Sequence, residues 1–299
     1  MTLSGDTSML LRVFSVIFPV FAISAIGYLY ARKHRPDMAV ANRLNMDIFL
    51  PSLIFGALAN KSFDLASYSS LAMAGAIVVL GSGLIAWPVA RWLRVDWKTF
   101  VPPMMFNNSG NMGIPLLVLA FGETALAAAV VLFLVEMTLH FTLGTFMLAQ
   151  RLRLLDFLRI PMIIATIAGL LVSVSQFALP APVMVVLRML GDVSIPLLLF
   201  SLGVRLNEVS LRHWKIGIAA AIVCPVSGLL MGWAALRILQ LPAEQLPYLW
   251  IFAALPPAVL NYIVSEQYRQ EPEKVAAIVM IGNLGALVAM PLVLAAVLR

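Results

Sequence analysis

Residues 100–115 read Phe-Val-Pro-Pro-Met-Met-Phe-Asn-Asn-Ser-Gly-Asn-Met-Gly-Ile-Pro. They lie in a run, 99–122, that holds no Asp, Glu, Lys or Arg. Crossing a bilayer takes roughly 20 such residues. Yet three asparagines, a serine and two glycines sit in the middle of this run. Gly110 and Gly113 are poor helix formers, and Pro115 has no N–H to give to a helix ladder. A continuous helix is therefore not expected. Backbone that is not helical survives at membrane depth only where it is buried in protein or lines a cavity. A second run, 245–265, is interrupted by Pro256 and Pro257 and then carries Asn261 and Tyr262. Paired interrupted spans in corresponding places point to a transport site. Half-helix N-termini at the breaks would present free N–H groups and positive dipole ends, which suit an anion.

The rest of the chain agrees with a membrane setting. Of its 299 residues, 62% are hydrophobic and only 11% charged, against about 25% charged in soluble domains. Such a chain cannot cover a water-facing surface, so the expected class is an all-α polytopic membrane protein. Seven charge-free runs are long enough to span: 13–31, 65–90, 99–122, 160–187, 216–236, 245–265 and 275–298. Three more carry charge within them: 38–60 with Arg43 and Asp47, 124–150 with Glu136, and 183–204 with Arg188 and Asp192. That gives ten spans joined by short connections. Met1–Leu10 lacks a basic n-region, so the first span is expected to be retained rather than cleaved.

Lys and Arg set the orientation. With the N-terminus outside, fourteen of the 20 fall in inner loops and four at the outer face, Arg43 and Arg188 lying within spans. The expected location is the inner (plasma) membrane with both termini periplasmic. The same bias accounts for the net charge of +6, so nucleic acid is not an expected partner. The single Cys224 and the absence of Cys/His spacing leave no metal site, and nothing calls for a cofactor. An enzyme is not expected either, because the in-span acids Asp47, Glu136 and Asp192 are scattered over three spans.

Arg43, Asp47, Pro51 and Phe55 recur as Arg188, Asp192, Pro196 and Phe200, each displaced by 145 positions. Two five-helix repeats are expected, 1–150 and 161–299, joined by an interfacial linker at 151–160. Five is odd, so the second repeat is inverted. Spacing of four brings each Arg to its Asp. The pairs read either as structural ion pairs or as gates. Glu136 and His140, also four apart, both can take up a proton, and read either as a coupling site or as a local hydrogen-bonded pair.

The GNMGIP segment at 110–115, the PPAVLNY segment at 256–262 and the ten-span hydropathy resemble the auxin efflux carrier family, in its prokaryotic form related to malonate and malate permeases. The resemblance covers essentially the whole chain. It implies a fold like that of bile acid sodium symporters, with helices 1, 2, 6 and 7 as a scaffold that often dimerises. Helices 3–5 and 8–10 would form a transport domain in which broken helices 4 and 9 cross. The implied activity is secondary, elevator-type alternating-access transport of a small organic anion, driven by a coupling ion such as a proton or sodium. By motif the implied binding residues are Asn107, Asn111, Gly113, Pro115, Pro256, Pro257 and Asn261. The reading of the breaks adds Asn108, Ser109, Gly110 and Tyr262. A channel-like facilitator is the alternative, although neither break contains the Asn-Pro-Ala of water channels.

Overall fold

A computed structural model describes residues 3–59, 63–64, 66–149, 158–208 and 211–298, and all regular structure among them is helical. Helix α1 is Leu3–His34. Helix α2 runs over 39–58 as Ala39–Leu44, a π-helical turn Asn45–Phe49 and Leu50–Leu58. Helix α3 is Ser69–Trp92 and α4 is Trp97–Met105. Helix α5 covers 109–121, a π turn Ser109–Gly113 leading into Ile114–Phe121. Helix α6 covers 126–149 and holds a third π turn, His140–Gly144. Then follow α7 Pro161–Ser175, α8 Ala181–Arg205, α9 Trp214–Ile238, α10 Leu246–Ala253, α11 Leu260–Gln267 and α12 Pro272–Val297.

Among the described residues, six stretches are long and apolar enough to cross a membrane: Leu11–His34, Ala66–Trp92, Glu123–Leu148, Ala181–Arg205, Trp214–Ile238 and Pro272–Val297. The protein is a multi-pass membrane protein. The other four expected spans depart from simple helices for local reasons. Runs 99–122 and 245–265 are each cut in two, as α4 with α5 and α10 with α11. Run 38–60 is interrupted by the π turn at Asn45–Phe49. Run 160–187 is shorter than expected: Gln176 turns left-handed at φ 53° and ends α7 at Ser175, after 15 residues. The linker expected at 151–160 lies, up to residue 157, outside the described residues.

Helix α1 packs along α8, and α2 along α7 and α8, while α9 is sandwiched by α3 and α12. Small residues make the closest crossings possible, as membrane helix interfaces favour. A Cβ on Gly203 would stand 1.9 Å from the Ser24 carbonyl oxygen, and one on Gly27 2.2 Å from that of Phe200. Ser24 Oγ adds a hydrogen bond to the Leu199 carbonyl at 3.1 Å.

A polar clasp joins the start of α4 to the turn between α11 and α12. Asp96 caps α4 by accepting from the Lys98 amide at 2.9 Å. Gln270 Nε2 donates to Asp96 at 3.0 Å and to Thr99 Oγ1 at 3.1 Å, and Thr99 donates to Glu271 at 2.6 Å. Burial pushes the Glu271 carboxyl up, but hydrogen bonds from Lys274 and Thr99 outweigh it and hold the group below its ordinary value of 4.5.

Two outcomes are expected. Gly203→Ala forces α1 and α8 apart and costs about 1–3 kcal/mol, whereas Gly56→Ala, with nothing within 4 Å of its Cβ, leaves the melting temperature unchanged. The clasp's carboxylate stabilises the folded chain above the ordinary carboxyl pKa, and that contribution fades as pH falls through the lowered value. Melting curves against pH should show that acid step in the wild type and a smaller one in Glu271→Gln.

Candidate functional site

Helices α4 and α10 end at Met105 and Ala253, each closed by a last bond from the following amide, Phe106 to the Pro102 carbonyl at 2.9 Å and Ala254 to that of Trp250 at 3.2 Å, and the chain then leaves the helix through 107–108 and 255–259. There the two breaks meet in a single antiparallel bridge, Asn107 opposite Pro257. The Asn108 amide donates to the Pro256 carbonyl at 2.7 Å, and the Ala258 amide donates to the Phe106 carbonyl at 2.9 Å. Neither Pro256 nor Pro257 has an N–H, so neither adds an orphan donor, and both carbonyls are used. Pro257 O accepts from Asn283 Nδ2 at 3.0 Å.

Asparagine amides satisfy what the bridge leaves over. Asn107 Nδ2 donates to the Phe252 carbonyl at 2.7 Å, and Asn261 Nδ2 to those of Phe106 and Ala258 at 2.8 and 3.0 Å. Asn108 Nδ2 donates to Asn283 Oδ1 at 2.9 Å. Asn107, Asn108 and Asn261 are all buried. With their nitrogens fixed, Asn107 Oδ1 and Asn261 Oδ1 remain buried acceptors with no hydrogen-bond donor among the described residues. Gly113 packs so closely that a Cβ would stand 2.8 Å from Leu255 Cδ1.

The crossover is wired to α6. Ser109 Oγ donates to Glu136 Oε2 at 3.2 Å, and His140 Nδ1 lies 3.1 Å from Glu136 Oε1. Glu136 is 4% exposed and His140 2%. The Phe106 ring stacks on the imidazole with centroids 4.2 Å apart. A gap of about 10 Å³ beside His140 is bordered by Asn261, Ser265 and Lys98. Two larger cavities lie outside this core. One of about 550 Å³ is lined by α1, α8 and α12 and touches Met112 and Asn283. Another of about 910 Å³ lies between α2 and α8 on one side and the 118–127 segment on the other.

The family model described as membrane transport protein matches residues 12–160 and 152–294. This chain belongs to that family. The resemblance drawn from its two motif segments therefore holds. A "Putative malonate transporter" of Rhizobium meliloti is 24% identical, with 91% of this chain and 92% of that one covered. An "Uncharacterized transporter" of Methanothermobacter thermautotrophicus is 26% identical, with 98% of each chain covered.

Of the residues singled out by sequence, Asn107, Asn108, Ser109, Pro256, Pro257 and Asn261 come together at the crossover, with Glu136 and His140 bonded to it. Gly110 and Asn111 are half-buried at the start of α5, and the Asn111 amide forms no side-chain hydrogen bond among the described residues. Pro115 lies inside α5, directly after the π turn Ser109–Gly113, and has no N–H to give to the carbonyls of that turn. The break comes earlier, at 106–108. Tyr262 is half-buried and donates to Glu266 at 2.8 Å.

The i, i+4 ion pairs do not form. Arg43, Asp47, Arg188 and Asp192 are exposed, and among the described residues none lies in an ion pair. The π turn at Asn45–Phe49 widens the register between Arg43 and Asp47. Arg188 and Asp192 instead both line the 910 Å³ cavity. Asn283 is the member that sequence reasoning passed over; a lone amide in the apolar run of α12 was its signal.

Replacing Asn108 by Ala strands Asn283 Oδ1 in the core, and an unpaired buried polar group costs about 1–3 kcal/mol. A thermal melt of Asn108→Ala should show that loss.

Proposed function

We propose that this protein is a secondary carrier of a small organic anion, working by alternating access of an elevator type. The observation that carries the reading is the crossover, where α5 begins inside the protein with the Asn111 amide uncommitted beside it. The first amides of a helix have no intrahelical partner and its N-terminus is positive, so an anion is favoured there. The name of the Rhizobium relative supports a carboxylate cargo.

In this reading the ten spans form two inverted five-helix repeats, and α1, α2, α7 and α8 are a scaffold against which the remaining helices move as one body. The packing of α1 and α2 against α7 and α8 supports that grouping. The scaffold is the place for a homodimer contact. The coupling ion is a proton carried by Glu136 and His140, whose bond to Ser109 ties protonation to the start of α5. The Lys and Arg bias supports an inner-membrane protein with both termini outside.

Asn111→Ala should fold and insert normally yet lose the stabilisation that fully ionised mono- and dicarboxylates give in a thermal-shift screen. Asn261→Ala tests something else, since its amide holds two backbone carbonyls and its loss should lower stability without ligand. Undiminished binding by Asn111→Ala would remove the crossover as the site. Glu136→Gln in proteoliposomes should keep exchange while uptake ceases to follow a pH gradient. Uptake still driven by that gradient would return Glu136 and His140 to a packing role.

A further inference from the structure

The 910 Å³ cavity holds three charged side chains, Arg188, Asp192 and Glu123, along with the hydroxyl-bearing Ser52, Tyr68 and Thr124. Arg188 is the only cation in its lining among the described residues. Arg188 and Asp192 are one turn apart on α8, both exposed, and neither is in an ion pair among the described residues. Four residues of α-helix rise about 6 Å, so a guanidinium and a carboxylate face one space at about that separation, with no ion-pair partner among the described residues. The backbone sharpens the acceptor end: Pro196 has no N–H to give to the Asp192 carbonyl one turn before it.

A cavity with two carboxylates and one guanidinium repels a dianion and rewards a molecule that brings a donor of its own. The geometry points to a binding site here for a small carboxylate that carries a protonated group about one helix turn away. Its carboxylate pairs with Arg188, in the two-pronged way a guanidinium allows. Its donor, an ammonium or the O–H of a second, protonated carboxyl, is received by Asp192. Amino acids and half-protonated dicarboxylates share this chemistry. The inference rests on the carrier reading and narrows its cargo, since a fully ionised dicarboxylate would set its second carboxylate against Asp192 and Glu123.

The test uses the full chain in lipid nanodiscs and reads ligand-induced stabilisation. The probes are β-alanine and malonate at alkaline pH, malonate at acidic pH, and propionate as a carboxylate with no donor. β-Alanine, or malonate only when acidified, should bind about tenfold more tightly than dianionic malonate or propionate, which is the effect of about 1.4 kcal/mol of charge repulsion. Which of the two binds separates an amino acid from a half-acid. Arg188→Gln should abolish the advantage of the donor-bearing probes and leave any stabilisation that depends on Asn111. Asp192→Asn should keep its unliganded melting temperature, since no ion pair is lost, while weakening β-alanine and improving dianionic malonate by a similar factor. Acid-dependent malonate binding should persist in Glu136→Gln, which separates the cavity from the crossover. Dianionic malonate binding as well as the donor-bearing probes, or binding unchanged in Arg188→Gln, overturns this site and leaves anion transport standing. Silence from every carboxylate, in a chain that melts normally, overturns both.

Discussion

Backbone that leaves a helix within a membrane must find hydrogen bonds inside the protein, and that demand organises the centre of this one. Two helices end at Met105 and Ala253, and each break supplies what the other lacks. The Asn108 and Ala258 amides are donated across the crossing, and the Pro256 and Phe106 carbonyls receive them. An uncompensated amide in an apolar medium costs several kcal/mol. Neither break is tolerable alone, so the two halves of the chain are obliged to meet at this point.

Once the backbone is paired, side chains divide into those that finish it and those that remain for chemistry. Asn107, Asn108, Asn261 and Asn283 spend their nitrogens on the crossing and on one another. Ser109 reaches the other way, to Glu136, and so joins the crossing to a buried acid and an imidazole. Asn111 stays uncommitted. A polar residue at this depth is thus not by itself a ligand contact; several are there to satisfy the fold.

Much of the centre was legible in the sequence because broken spans violate two rules at once, apolarity and helix propensity. Phe100–Pro115 and Ala253–Tyr262 could be paired on that basis alone. The position of the first break was harder to see. Pro115 looked like its cause, but it lies within α5 just past the π turn, and the residues at 106–108 leave the helix instead. The charged repeat was equally visible and its pairing was misread. Spacing of four predicts contact only on a regular α-helix with no competing space nearby. Asn45–Phe49 is a π turn, and Arg188 with Asp192 has a cavity to face. Such features depend on tertiary packing, which periodicity does not encode. The short α7 belongs with them, since Gln176 adopts a left-handed conformation that its neighbours alone do not announce.

The three π turns, in α2, α5 and α6, have a bearing on how this chain tolerates insertion and deletion. Each holds one residue more than an α-helix would use for the same turn, and one residue is worth about 100° of rotation. The turn at His140–Gly144 therefore fixes which side of α6 faces inward beyond it, just as that at Ser109–Gly113 aims the rest of α5. Loss of a single residue there would relax the turn to plain α-helix and swing every later side chain about a quarter turn. Length at these three places is held as tightly as identity.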